Sequence, residues 1–211
     1  MKKIKSSTKP KEATSYKETS FGIIPHSKLL KLEIKGTKKG LDLIYQLARD
    51  QDVKITSALV CKLHEVSFAW IFPKWAGRYR KIQVTISGKE TPFYAQVPEM
   101  MFNLCQDLDE RLKHLPNPET DNYIVEVVKL LAWFQHQFVL IHPFQDYNGR
   151  TARMLTIFLL LKLNLPPIEI KIENEFDRKR YINALKKADK GNISFLEDII
   201  SRTLLESLSK V

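Results

Sequence analysis

Apolar residues along this 211-residue chain recur mainly at spacings of three and four, with one short stretch of alternation. That pattern predicts helices around a single hairpin. From Leu41 onward, Leu43, Ile44 and Leu47 share a face; after a break at Gln51-Asp52, Ala58, Leu59, Leu63, Val66 and Trp70 continue the period, so two helices are expected. Pro73 and Gly77 end that region. Ile82, Val84 and Ile86 then alternate with Gln83 and Thr85 up to Ser87-Gly88, and Phe93-Tyr94 resumes an extended segment, which reads as the β-hairpin. Pro98-Glu99 opens a helix whose face includes Met101, Leu104, Leu108 and Leu112, closed by Leu115-Pro116-Asn117-Pro118. A longer helix from about Thr120 carries Ile124, Val127, Val128, Leu131, Phe134, Phe138 and Val139 on one stripe. It stops at His142-Pro143, because the residue before a proline leaves the α region. Met154 to Leu163 is apolar on nearly every face, which predicts a central helix buried all round. Beyond Pro166-Pro167, two helices run through Tyr181 to Ala188 and Ile193 to Leu208, parted by Gly191-Asn192. The expected fold class is all-α with one β-hairpin.

Composition narrows the class further. Hydrophobic residues make up 44% and aromatic residues 10%, enough for a sizeable core, and only 7 glycines argue against a turn-dense β-sandwich. The length suits one domain of roughly 100–200 residues. Residues 1–20 are Lys, Ser and Thr with almost no large apolar side chains, and read as a flexible basic arm before a domain over residues 21–211. The net charge is +10, but that arm holds six Lys against Glu12 and Glu18, so about +6 remains elsewhere and nucleic acid is not an expected partner. No run approaches the roughly 18–20 apolar residues of a membrane span, nor does the N-terminus resemble a secretory signal, so a soluble, cytoplasmic protein without a membrane partner is expected. Cys61 and Cys105 are far apart in apolar contexts and read as two small buried hydrophobes.

The candidate chemistry lies between the two most hydrophobic helices, in His142-Pro143-Phe144-Gln145-Asp146-Tyr147-Asn148-Gly149-Arg150-Thr151-Ala152-Arg153. A loop feeding a buried helix directs unpaired N–H groups and the positive end of the helix dipole outward, which suits phosphate, with Asn148-Gly149 as the cradle. Arg150 and Arg153, three apart, project from one side of the first turn and can clamp successive phosphates. A carboxylate at such a place needs a cation between it and phosphate, so Asp146 reads as a Mg²⁺ ligand. His142 is the group able to take a proton near neutral pH. Phe144 faces away from its polar neighbours and reads as the plug that anchors the loop. The set suits attack of a hydroxyl on an α-, β- or γ-phosphorus, although a polar helix start is also what a solvated cap looks like.

The same stretch resembles the signature of the Fic family, His-x-Phe-x-[Asp/Glu]-Gly-Asn-Gly-Arg-x-x-Arg, at every specified position except Tyr147, where the family usually has glycine. Trp75-Ala76-Gly77-Arg78-Tyr79-Arg80 resembles the segment leading into that family's hairpin flap, and Leu165-Pro166-Pro167-Ile168 and Tyr181 to Gly191 resemble segments beyond the central helix. The likeness spans about residues 40–205. It implies an all-α Fic fold and protein adenylyltransferase activity, with AMP passing from Mg-ATP to a Ser, Thr or Tyr hydroxyl of a target protein. By that match His142 is the base, Asp146 holds Mg²⁺, and Asn148, Gly149, Arg150 and Arg153 bind the phosphates of ATP. Tyr147 and Thr151 line the nucleotide, and Tyr181, Ile182 and Asp189 meet its adenosine part, although Tyr181 also reads as a core aromatic. Ile86, Ser87, Gly88 and Lys89 form the flap that pairs with an extended stretch of the target. Transfer of UMP, GMP or a phosphoryl group, or a domain that only binds nucleotide or peptide, are the alternatives.

Many Fic proteins carry an inhibitory [Ser/Thr]-x-x-x-Glu-[Gly/Asn] helix. Thr14 to Glu18 has the spacing but is followed by Thr19, so control by a separate inhibitory protein, or none, is expected instead of self-inhibition. Three other motifs lead nowhere. His64-Glu65 lacks the second histidine of a zinc-protease helix, Ser87-Gly88-Lys89 lacks the upstream glycine of a Walker loop, and His136 and His142, six apart, share no helix face.

Overall fold

A computed structural model describes residues 19–86, 89–172 and 174–210. Seven α-helices are present among them: α1 (His26–Leu47), α2 (Ser57–Phe68), α3 (Val97–Lys113), α4 (Tyr123–Ile141), α5 (Asn148–Lys162), α6 (Glu175–Ala188) and α7 (Ser194–Leu208). Two short antiparallel strands, β1 (Thr85–Ile86) and β2 (Lys89–Glu90), sit between α2 and α3 with Thr85 opposite Glu90 and Ile86 opposite Lys89.

The helices form where the spacing predicts, with boundaries set by local chemistry. Thr56 caps α2 by accepting the Leu59 N–H at 3.1 Å, and Asn174 caps α6 by accepting that of Asp177 at 2.8 Å. α4 ends because Pro143 follows His142, which itself turns left-handed at φ 51°. α5 is the central helix, packed on α1, α2 and α4, with Ala152, Leu155, Phe158 and Leu160 buried on different faces. Contrary to expectation, α4 is long and apolar enough to cross a membrane. Its apolar surface is used instead against α3, α5 and α7, the position of a core helix.

Two expectations need correction. α1 begins at His26, not near Leu41: Gly36 and Gly40, poor helix formers, lie where α1 crosses α2, and a Cβ on Gly36 would meet the Ser67 carbonyl at 2.3 Å. The hairpin pairs over only two residues per strand, and Tyr94 opens a short 3₁₀ turn (Tyr94–Gln96) instead of extending the strand. Its base is tied by side chains: Gln83 Nε2 donates to the Thr91 carbonyl at 2.7 Å, and Thr91 Oγ1 donates to that of Val84 at 2.8 Å. The expected arm lies outside the described residues save for Thr19 and Ser20, and Ser20 is bonded to the fold, its N–H reaching the Ile71 carbonyl at 2.8 Å.

Candidate active site

The loop from His142 to Tyr147 leaves α4 and enters α5 through two left-handed residues, His142 (φ 51°) and Tyr147 (φ 61°). Its interior is clasped by Asn148, whose side-chain oxygen accepts the Phe144 N–H at 2.8 Å and whose Nδ2 donates to the Phe144 carbonyl at 2.9 Å. Phe144 is fully buried and stacks on the His64 ring at 3.8 Å. His64 also holds the loop's main chain. Its Nδ1 accepts the Gly77 N–H at 2.9 Å, which leaves Nε2 to carry the proton and donate to the Asp146 carbonyl at 3.1 Å.

Arg80 fixes the start of the loop. Nε donates to the His142 carbonyl at 2.8 Å, Nη1 to that of Ile82 at 3.1 Å, and Nη2 to that of Pro92 at 2.6 Å, while its backbone N–H reaches Pro143 at 2.9 Å. One guanidinium therefore joins the base of the hairpin to the loop. The His142 ring is largely shielded. Burial pushes its pKa down to about 4, the nearby Val139 carbonyl pulls the other way, and the Arg80 charge adds to the depression. Its Nδ1 makes no well-formed hydrogen bond. At neutral pH the imidazole is uncharged and able to accept a proton.

The start of α5 leaves backbone donors unused by the helix. Tyr147 occupies the capping position, no side chain caps the helix, and the N–H groups of Asn148, Gly149 and Arg150 have no acceptor within it. Arg153 lies deep, its guanidinium 5.9 Å from the Tyr181 ring centroid, and burial lowers its pKa. A Cβ on Gly149 would come 3.4 Å from Arg153 Nη1, so glycine leaves room for that side chain. Arg150 Nη2 donates to Glu33 Oε2 at 2.8 Å, while Nη1 is buried without a partner.

The Asp146 carboxylate is half-buried, with Oδ1 accepting the Tyr147 N–H at 2.7 Å. No cluster of three or more metal-ligating side chains occurs among the described residues. One carboxylate is enough for Mg²⁺, which takes one or two carboxylates and completes its shell with phosphate and water.

Several residues expected at the nucleotide have partners within the fold. The Tyr147 ring is buried against Phe68, centroids 4.3 Å apart, and its hydroxyl donates to Glu33 Oε1 at 2.5 Å, so the side chain packs in the core instead of lining the nucleotide. Thr151 is fully buried and returns its hydroxyl to the Tyr147 carbonyl at 3.0 Å. The Tyr181 hydroxyl accepts from Gln135 Nε2 at 2.7 Å and is a buried core group. Ile182 is half-buried on α6. Asp189, at the end of α6, bonds His136 Nε2 at 3.0 Å and Lys89 at 2.9 Å, which ties β2 to α4. Burial raises its pKa, but the Lys89 and His136 contacts outweigh that and hold it low. Ile86 and Lys89 pair in the hairpin, whereas Ser87 and Gly88 lie outside the described residues, as do Thr14 and Glu18.

The model of the Fic/DOC family matches residues 54–160, half of the chain and the whole loop. The chain belongs to the Fic/DOC family. The sequence is 27% identical over 190 residues to "Protein adenylyltransferase Fic" of Nematostella vectensis, covering 89% of this chain and 42% of that protein. It thus spans less than half the length of that relative. The fold is that of solved Fic domains. A Fic domain containing signaling protein from Bacteroides thetaiotaomicron superposes with a TM-score of 0.70 at 23% identity, over 84% of this chain and 69% of that one. BepC of Bartonella tribocorum, solved with bound AMPPNP, gives 0.65 at 18% identity, over 90% and 92%.

Sequence reasoning missed Glu33 and gave no role to Arg80 or His64. A signal for Glu33 exists: Leu29, Glu33, Gly36, Gly40 and Ile44 are the buried positions of α1, a helical stripe that includes an acid.

Proposed function

We propose that this Fic domain is a protein adenylyltransferase, moving AMP from ATP to a hydroxyl side chain of a target protein. The observation that carries it is one loop holding an uncharged, shielded His142 at one end and, at the other, an uncapped helix start with Arg150 and Arg153. The name of the Nematostella relative and the nucleotide analogue on BepC support the same reading.

In this mechanism the triphosphate lies on the N–H groups of the first turn of α5, with the two guanidinium groups neutralising its charge. His142 accepts the proton of the target hydroxyl as its oxygen forms a bond to the α-phosphorus. The bond from that phosphorus to the bridging oxygen breaks, and pyrophosphate leaves with the electron pair. Asp146 would hold Mg²⁺, which when bound supplies further charge neutralisation on the phosphates. Phe144, His64 and Arg80 keep the loop rigid, which matters because catalytic groups act only when preplaced. The hairpin of Ile86 and Lys89 offers an edge for an extended target segment. The left-handed turn at Tyr147 is made without glycine.

The test is incubation with ATP labelled at the α- or the γ-phosphate, with candidate proteins present. Label from the α position on a protein, lost in His142→Ala while ATP affinity stays within about threefold, is expected. Transfer of γ-label would make the domain a kinase, and saturable binding with neither label would make it a binding module.

A further inference from the structure

We propose that Glu33 is a positioning residue for Arg150, and that Tyr147 belongs to the same device. The inference rests on the nucleotide-binding reading above.

Glu33 is 6% exposed, on α1, outside the segment that matches the family model. Its two carboxylate oxygens are divided between two donors from the first turn of α5: Tyr147 Oη on Oε1 at 2.5 Å, and Arg150 Nη2 on Oε2 at 2.8 Å. A non-glycine residue held left-handed needs its surroundings to keep it there. Here the ring stacks on Phe68 and the hydroxyl is anchored to a buried acid, so tyrosine holds by side-chain contacts a turn that glycine makes through backbone freedom.

The same carboxylate orders Arg150. Nη2 is taken by the carboxylate, and Nη1 is buried without a hydrogen-bond partner, so among the described side chains Glu33 alone fixes the guanidinium by hydrogen bonding. Without Glu33 the guanidinium regains its rotamers, and the cost of ordering it falls on the ligand. The opposite role is also physically defined: a carboxylate on a phosphate-binding arginine competes with the phosphate. The two roles differ in sign.

The experiment titrates ATP and AMP, each with Mg²⁺, against the unmodified chain, Glu33→Gln, Arg150→Ala and the double variant. Positioning predicts that Glu33→Gln lowers ATP affinity about tenfold, on the scale of one charge-assisted hydrogen bond, and leaves AMP affinity within about twofold. In the Arg150→Ala background Glu33→Gln should leave the ratio of ATP to AMP affinity unchanged, a silence that general loss of stability would not produce. An ATP affinity that rises or stays level in Glu33→Gln overturns the proposal, as does a ratio that still shifts once Arg150 is gone. If Glu33→Gln does not fold, Tyr147→Phe, which keeps the stacked ring and removes the anchor, is expected to lower the same ratio; an unchanged ratio overturns the proposal. A chain that binds ATP but labels no protein loses the transferase reading and leaves this one standing. One that binds ATP no more tightly than AMP overturns both.

Discussion

His142 is held uncharged by its surroundings, because burial and the Arg80 charge disfavour the imidazolium. The proposed base works only unprotonated, so the rate of transfer should fall as pH drops through its pKa. For the free enzyme that limb, read in kcat/KM for ATP, is expected near pH 4 to 5, well below the ordinary histidine value of about 6.5. Bound triphosphate brings negative charge that favours the imidazolium, so the limb in kcat should lie at higher pH. A kcat/KM limb at 6.5 would mean a solvated ring. That His142, Asp146, Arg150 and Arg153 gather on one loop was legible in the sequence, because all four lie in one short segment. Glu33, Arg80 and His64 were not, because each acts on that segment from 60 or more residues away along the chain.

At the scale of elements, the crossing of α1 and α2 decides where Glu33 stands. An alanine in a helix ordinarily gains about 1 kcal/mol over glycine. At Gly36 the added methyl would meet the Ser67 carbonyl, a main-chain atom that cannot rotate away. Gly36→Ala should therefore destabilise the fold by about 1–3 kcal/mol, read as a lower urea midpoint; a gain would mean that the helices part freely. Gly40→Ala meets side-chain atoms of Ser67 and Met154, which can shift, and should cost less. The first half of α1 was illegible for the same reason. Five lysines and two glycines between His26 and Gly40 hide a helix whose tight contact with α2 needs those glycines. By contrast α3, α4, α5 and α7 carry enough apolar residues at helical spacing to be read directly, and only their ends shifted.

Over the whole molecule, acid stability follows from two shielded histidines. Burial lowers the pKa of His64 to about 3 and, with the Arg80 charge, that of His142 to about 4. In the unfolded chain both titrate near 6.5. Between that value and about 4 the unfolded state binds protons that the fold refuses, so stability falls as pH falls, by on the order of 1 kcal/mol per pH unit for each ring. The thermal midpoint should drop from pH 7 to pH 5; a level profile would show that neither ring is shielded. The loop from His142 to Tyr147 would loosen along with the fold, since a protonated His64 no longer accepts the Gly77 N–H.

Arg80 has one more consequence. Among the described residues its guanidinium meets carbonyl oxygens and no carboxylate, so its charge is solvated by peptide dipoles and never cancelled. Arg153, facing an aromatic ring, is in a similar condition. The pair gives the loop a standing positive field, which on the proposed function would attract polyanions before any of them makes contact.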